Sequence, residues 1–244
     1  MELNKNVGLI LSNYCYVYDI ISCHFTILDK LGYDVSSIEK HDKLKRNIQI
    51  GYILKENPKI TSILRKTTES LVDEFIFRNH INNDEIIVKS YDGIIITKPI
   101  NNPKYSGIGL KLREIYQKFI ISNDRCNYIA LNDQNETIIK GISNRYKTMD
   151  YYYSKLLRIN YMNKTSIFKS IQNIKDEILN SDNPELFCIP TRDDDKYIIR
   201  LVRYNEMEIS NTIIQMLDVD DIDKEFYFNK YLEPFVKSIV ITYI

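Results

Sequence analysis

Between Val7 and Ile20 apolar and β-branched residues run almost unbroken, interrupted at Asn13, and predict a buried strand. Ser22 to Leu31 then takes a helical pattern that ends near Gly32. Ser36-x-x-Glu39 has the layout of a capping box and predicts a helix reaching about Lys55. Asn57-Pro58 stops it, because the residue before proline avoids helical torsions. From about Lys59 to Asn79, Ile63, Leu64, Leu71, Val72, Phe75 and Ile76 fall on one side of a further helix. A turn at Asn82-Asn83-Asp84 leads into two strands, Glu85 to Tyr91 and Ile94 to Lys98, joined at Asp92-Gly93, a pair that reads as a type I′ turn. A second hairpin is predicted from Cys126 to Leu131 and Thr137 to Ile142. Helices follow over Met149 to Ile159 and Ser166 to Leu179, then a strand over Lys196 to Tyr204. A last helix runs from about Lys224 to Val240, capped within Asp218 to Asp223. The first half is thus strand, three helices and hairpin, an α+β order with helices on one face of an antiparallel sheet.

The 244 residues are 44% hydrophobic and 27% charged, ordinary globular values, and suffice for one large domain or two small ones. No apolar run approaches the ~18 residues of a membrane span, and Met1 to Val7 lacks a signal-peptide layout. The expectation is a soluble intracellular protein, in the cytoplasm or nucleus of a host cell, with no membrane partner. Cys15, Cys23, Cys126 and Cys188 are scattered, as are His24, His41 and His80, and read as buried reduced thiols and dispersed imidazoles instead of a zinc site. Isoleucine and asparagine are far above average usage, the mark of an AT-rich genome, viral ones included. Net charge is zero, yet residues 101–169 hold 12 basic and 5 acidic side chains, and residues 171–234 hold 7 basic and 15 acidic. A basic middle and an acidic tail suit one face meant for phosphates.

Three segments carry candidate chemistry. Asp19 ends the first strand beside the helix that opens at Ser22, where an acid serves either as a cap or as a ligand. Lys43, Asn47 and Gly51 recur every four residues and share a helix face. Lysine there suits a triphosphate, and a glycine inside a helix suggests close packing on its backbone. Asp92 stands at a hairpin tip, where a carboxylate can be held beside a neighbouring strand end. Two-metal phosphoryl transfer needs two carboxylates from separate strands holding cations ~3.5–4 Å apart, with further cations on the triphosphate. The three segments supply those parts.

In this order they resemble the motifs of the family B DNA polymerases. Asp19, Ser22 and Ile27 match Asp-x-x-Ser-Leu-Tyr-Pro-Ser-Ile. Lys43, Asn47 and Gly51 match Lys-x-x-x-Asn-Ser-x-Tyr-Gly. Tyr91-Asp92-Gly93 fits the last positions of Asp-Thr-Asp-Ser, with Ser90 where the first acid would stand. Arg125-Cys126-Asn127-Tyr128 is similar to the family's Lys-Lys-x-Tyr, and Lys140-Gly141 with Arg145 to its Lys-Gly-x-x-x-x-Arg. Asp223 to Tyr227 with Pro234 resembles its thumb segment. The resemblance implies a polymerase-like palm over residues 1–145, with a minimal fingers insertion at about 32–81, and a thumb-like helical region over 146–244. Asp19 and Asp92 would bind two magnesium or manganese ions, with the Ile20 carbonyl as a further ligand. Lys43 would meet the incoming nucleoside triphosphate, Asn47 would lie near the nascent base pair, and Gly51 and Ser22 would line the nucleotide site. His24 stands at the ribose-screening position. Tyr91, Arg125, Tyr128, Lys140 and Arg145 would contact primer–template nucleic acid.

The departures are specific. About 24 residues separate Asp19 from Lys43, room for one short helix and a turn at ~1.5 Å per helical residue. Full fingers are therefore absent or much shortened, no exonuclease domain is expected, and separate replication subunits are candidate partners. The function expected is template-directed nucleotide addition. The alternative is a non-catalytic nucleic-acid-binding or replication-accessory protein on a decayed polymerase scaffold. A metal-dependent nuclease using Asp193, Asp194 and Asp195, or Asp218, Asp220 and Asp221, is a third reading, although acidic runs beside turns usually cap helices.

Overall fold

The computed structural model describes residues 2–3, 14–105, 107–121, 128–140, 149–159, 164–191, 196–202 and 207–233. The chain order is β1 (Glu2–Leu3), β2 (Cys15–Ile20), α1 (Cys23–Lys30), α2 (Lys43–Glu56), α3 (Pro58–Arg78), β3 (Ile86–Lys89), β4 (Gly93–Ile96), β5 (Leu110–Ile121), β6 (Tyr128–Asn132) and β7 (Thr137–Lys140). It continues with α4 (Met149–Arg158), α5 (Lys164–Leu179), β8 (Cys188–Pro190), β9 (Lys196–Ile199), β10 (Met207–Ser210), α6 (Asn211–Ile214) and α7 (Asp221–Tyr227). The class is mixed α+β, as the pattern predicts. Contacts divide the chain into two units at Tyr116/Gln117, inside β5. The boundary expected near residue 145 lies outside the described residues.

In the first unit the strands lie side by side in the order β1-β3-β4-β2-β5, with β2 antiparallel to both β4 and β5. Alternation along β2 sends Tyr16, Tyr18 and Ile20 to one face. There they pack with Ile27 and Leu28 of α1, Ile50 of α2, and Leu64, Val72 and Phe75 of α3. Tyr18 is 2% exposed. Its ring lies 5.5 Å from that of Phe75, and its hydroxyl accepts the Ile100 N–H at 2.9 Å. Asp19 therefore belongs to the opposite face, in register with Gly93 of β4 and Lys111 of β5.

The second unit holds the β6–β7 hairpin, in which Tyr128 pairs with Lys140, and a small antiparallel sheet ordered β10-β9-β8. Tyr152, Tyr153, Leu156 and Leu157 of α4 join Ile178, Phe187 and Tyr227 in its core. After α7 the chain continues as a short π-helix, Phe228–Leu232.

The structure corrects several expectations. The helix expected from Ser36 starts at Lys43, because Asp42 supplies the cap: its Oδ1 accepts from Leu44 N at 2.9 Å and Lys45 N at 3.1 Å. Glu39 instead accepts from His41 N. Removing a cap of this kind costs about 1 kcal/mol. Asp42→Ala should thus lower the melting temperature by several degrees and Asp42→Asn should not. Equal melting of all three proteins would refute the assignment. Asp92-Gly93 is not a type I′ turn: neither residue has positive φ, and Gly93 is the first residue of β4. The turn is Ser90-Tyr91-Asp92, closed by the Ser90 N–H and hydroxyl, which both donate to the Gly93 carbonyl at 2.9 Å. The twelve-residue β5, the longest strand described, has no counterpart in the predicted elements. The C-terminal region is also not purely helical, since β8 and β10 flank the predicted β9. The strand expected over residues 7–14 and the helix expected after residue 233 fall mostly outside the described residues.

Candidate functional site

The strand pairing brings the two sequence-predicted carboxylates together. β2 ends at Ile20, whose N–H donates to the Asp92 carbonyl at 3.0 Å, so Asp19 and Asp92 sit on adjacent strand ends. Both line a cleft of about 660 Å³ in the first unit, together with Ile20, Ser22, His24, Lys43, Asn47 and Gly51. Every residue predicted for the metal and nucleotide contacts therefore lies on one cavity.

Local chemistry explains how each wall is built. Ser22 turns the chain from β2 into α1 with φ 51° and ψ 44°, a left-handed conformation uncommon for a residue with a side chain. The turn is held by Thr26, whose N–H donates to the Ser22 carbonyl at 3.0 Å and whose hydroxyl donates to the Ile21 carbonyl at 2.8 Å. The α2 wall is one helix stripe, Lys43, Asn47, Ile50, Gly51 and Leu54, with Arg46 beside it. Gly51 is not there for close packing: a β-carbon added to it meets no atom within 4 Å. It borders the open cleft.

Asp19 is only 18% exposed in its side chain, and its Oδ2 accepts from Arg113 Nη1 at 2.7 Å. Burial pushes its carboxyl above the ordinary range. The Arg113 hydrogen bond opposes this, the Asp92 charge adds to it, and the Arg113 charge and the nearby Ile20 N–H lower it further down the order of influence. That N–H is committed to the Asp92 carbonyl, and the buried Asp19 Oδ1 has no hydrogen-bond partner. A buried carboxylate oxygen without a donor is uncommon, and a water or a cation would satisfy it. Together with Asp92 in the same cleft, it fits a divalent cation. Among the described residues no group of three or more His, Cys, Asp or Glu converges on a point, so any ion here would complete its shell with backbone, water or substrate oxygens, as magnesium commonly does.

Behind the carboxylates, Cys23 Sγ lies 3.7 Å from the hydroxyl of the fully buried Thr68. Burial, with the Asp92 and Asp19 charges, holds the Cys23 thiol up at about 12, so it is a packing group and not a thiolate nucleophile. Cys15 is also pushed up to about 12 by burial. Tyr91 is hydrogen-bonded to Thr68 and raised by burial. Its ring meets that of His24 edge-on at 6.0 Å, so His24 is supported from the hairpin tip.

Three cations of the lining are absent from the sequence-predicted set: Arg46, Lys111 and Arg113. Arg46 is anchored by a 2.7 Å hydrogen bond to the Lys40 carbonyl. Lys111 and Arg113 alternate in sequence with Leu110 and Leu112, but Leu112 is exposed and lines the cleft with them, where the β2–β5 register shifts past Arg113. In the second unit Lys140 is exposed. Tyr128 is 7% exposed and its ring packs 4.9 Å from Phe119, so it is a core residue and not an open aromatic face for nucleic acid. Arg125 and Arg145 lie outside the described residues, as do Asp193, Asp194 and Asp195. Asp220 caps α7 by accepting from Asp223 N at 2.9 Å, a structural duty. No helix among the described residues is long and apolar enough to cross a membrane.

The fold is distantly similar to a polymerase. The solved structure of the family B DNA polymerase from the hyperthermophilic archaeon Pyrobaculum calidifontis matches over 98% of this chain and 47% of that one, at 11% identity and a TM-score of 0.47. This chain spans about half the length of that polymerase. Residues 2–232 match the family described as Bacteriophage PBS1 gene 130 protein, and the chain belongs to that family. No curated protein matches it.

Proposed function

We propose that this chain is a template-directed nucleotidyltransferase of the DNA polymerase kind, adding nucleotides to a primer 3′ end. One observation carries the reading: two carboxylates from adjacent strand ends share a cleft with Lys43, Arg46, Lys111 and Arg113. Such a lining, two acids among four cations, suits a triphosphate that arrives with a divalent metal. Magnesium or manganese, held by Asp19 and Asp92 with the Ile20 carbonyl, would supply charge stabilisation at the transferring phosphoryl group. Lys43 and Arg46 bind and orient the triphosphate from α2, so that pyrophosphate is the leaving group. Asn47 and the bare backbone at Gly51 border the base. His24, braced by Tyr91, borders the sugar. The order of motifs along the chain supports the same reading.

Primer extension on a DNA template, with magnesium or manganese and deoxynucleoside or ribonucleoside triphosphates, tests it. Extension is expected to require template, metal and triphosphate. Lys43→Glu should raise KM for the triphosphate about tenfold or more, the scale set by hydrogen bonds to charged groups. No extension with either metal and either sugar, beside salt-sensitive nucleic-acid binding, would leave the accessory-protein alternative in its place.

A further inference from the structure

We propose that Arg113 is a resident counter-ion that competes with the divalent cation for Asp19. Metal binding at this carboxylate would then be coupled to release of the guanidinium into the cleft. The inference rests on reading Asp19 as a cation ligand and adds a control to it. Three observations support the coupling. Arg113 Nη1 holds Asp19 Oδ2 at 2.7 Å while the buried Oδ1 has no hydrogen-bond partner. The carboxylate is thus half satisfied, and a cation held at Oδ2 would have to displace the arginine. Arg113 is 48% exposed in its side chain, against 18% for Asp19. The guanidinium can therefore leave for solvent or for a phosphate, whereas the carboxylate stays where β2 puts it. Finally, Lys43, Arg46 and Lys111 line the same cleft as the two acids. With Arg113 in place a bare divalent ion meets a lining with more positive than negative groups, and Coulomb repulsion disfavours its entry. A triphosphate would relieve this twice, by carrying the metal in and by offering the displaced, planar guanidinium a bidentate phosphate partner.

The test is manganese binding, followed by the electron paramagnetic resonance of the free ion, in the wild type, Arg113→Gln, Arg113→Lys and Asp19→Asn/Arg113→Gln. Circular dichroism melts would confirm that all four are folded. Arg113→Gln is expected to bind manganese at least about fivefold more tightly than wild type, the scale set by loss of a hydrogen bond to a charged group. Arg113→Lys, which keeps the charge but not the fork, should fall between them. The double variant should lose the gain, which assigns it to Asp19. Adding a non-hydrolysable nucleoside triphosphate should tighten manganese binding in wild type more than in Arg113→Gln. Equal, Asp19-dependent affinity in wild type and Arg113→Gln would overturn the competition and leave the metal reading standing. No Asp19-dependent binding in either protein would overturn both.

Discussion

Asp19→Asn and Asp92→Asn are each expected to reduce metal-dependent primer extension on the order of 10³-fold or more, the scale of removing a group that stabilises transition-state charge. Neither should unfold the protein. For Asp19 the direction of the stability change follows from its surroundings. Burial is the largest influence on this carboxyl and raises it, outweighing Arg113. A carboxyl that is harder to ionise in the folded than in the unfolded state takes stability away as pH rises through the interval between its ordinary and raised values. At neutral pH the ionised Asp19 is therefore a destabilising group. Asparagine removes that charge and frees an arginine already half exposed to water. The Asp19→Asn protein should melt at or above the wild-type temperature at pH 7, with the difference shrinking toward pH 4. Thermal melts at the two pH values, run beside the extension assay, separate the roles. A variant that is inactive but equally or more stable fits a carboxylate kept for chemistry. A variant that melts far lower would mean that Asp19 is retained for the fold.

Much of this site was legible in the sequence because its parts follow local rules. The every-fourth-residue spacing of Lys43, Asn47 and Gly51 needs only helical geometry to share a face, and all three line the cleft. Asp19 is readable as the end of an apolar run. What the sequence hid is what depends on pairing between distant segments. Arg113 lies 94 residues from Asp19, and nothing near either residue announces the contact. The β5 strand is hidden for a related reason: its burial does not alternate, since Lys111, Leu112 and Arg113 are all exposed where the strand borders the cleft and Phe119, Ile120 and Ile121 are all buried at the other end. The capping box at Ser36 failed because a competing acid, Asp42, offers the better N-terminal acceptor six residues on. The short strands β8 and β10, three and four residues long, carry too few positions for a period to emerge.

The two glycines of the site separate these cases, and substituting them should give effects of opposite sign. At Gly93 an added β-carbon would stand 2.6 Å from the Tyr18 carbonyl and 3.4 Å from Asp19 Cα. Both are backbone atoms of β2, so the clash cannot be relieved by turning a side chain. β2 also cannot retreat freely, because Tyr18 is clamped on its far side by the Phe75 ring and by the Ile100 N–H. Gly93→Ala must therefore force β2 and β4 apart, at a cost of about 2–3 kcal/mol by analogy with overpacked cores. The displacement falls between Asp19 and Asp92, so extension activity should drop with stability. Gly51→Ala meets open space and replaces a helix-interior glycine, which should stabilise the protein by about 1 kcal/mol. Denaturant titration of both variants measures the pair of effects. Wild-type stability in Gly93→Ala would show that the two strands can separate without penalty. The close approach that sets one carboxylate beside the other would then not be what this glycine is for.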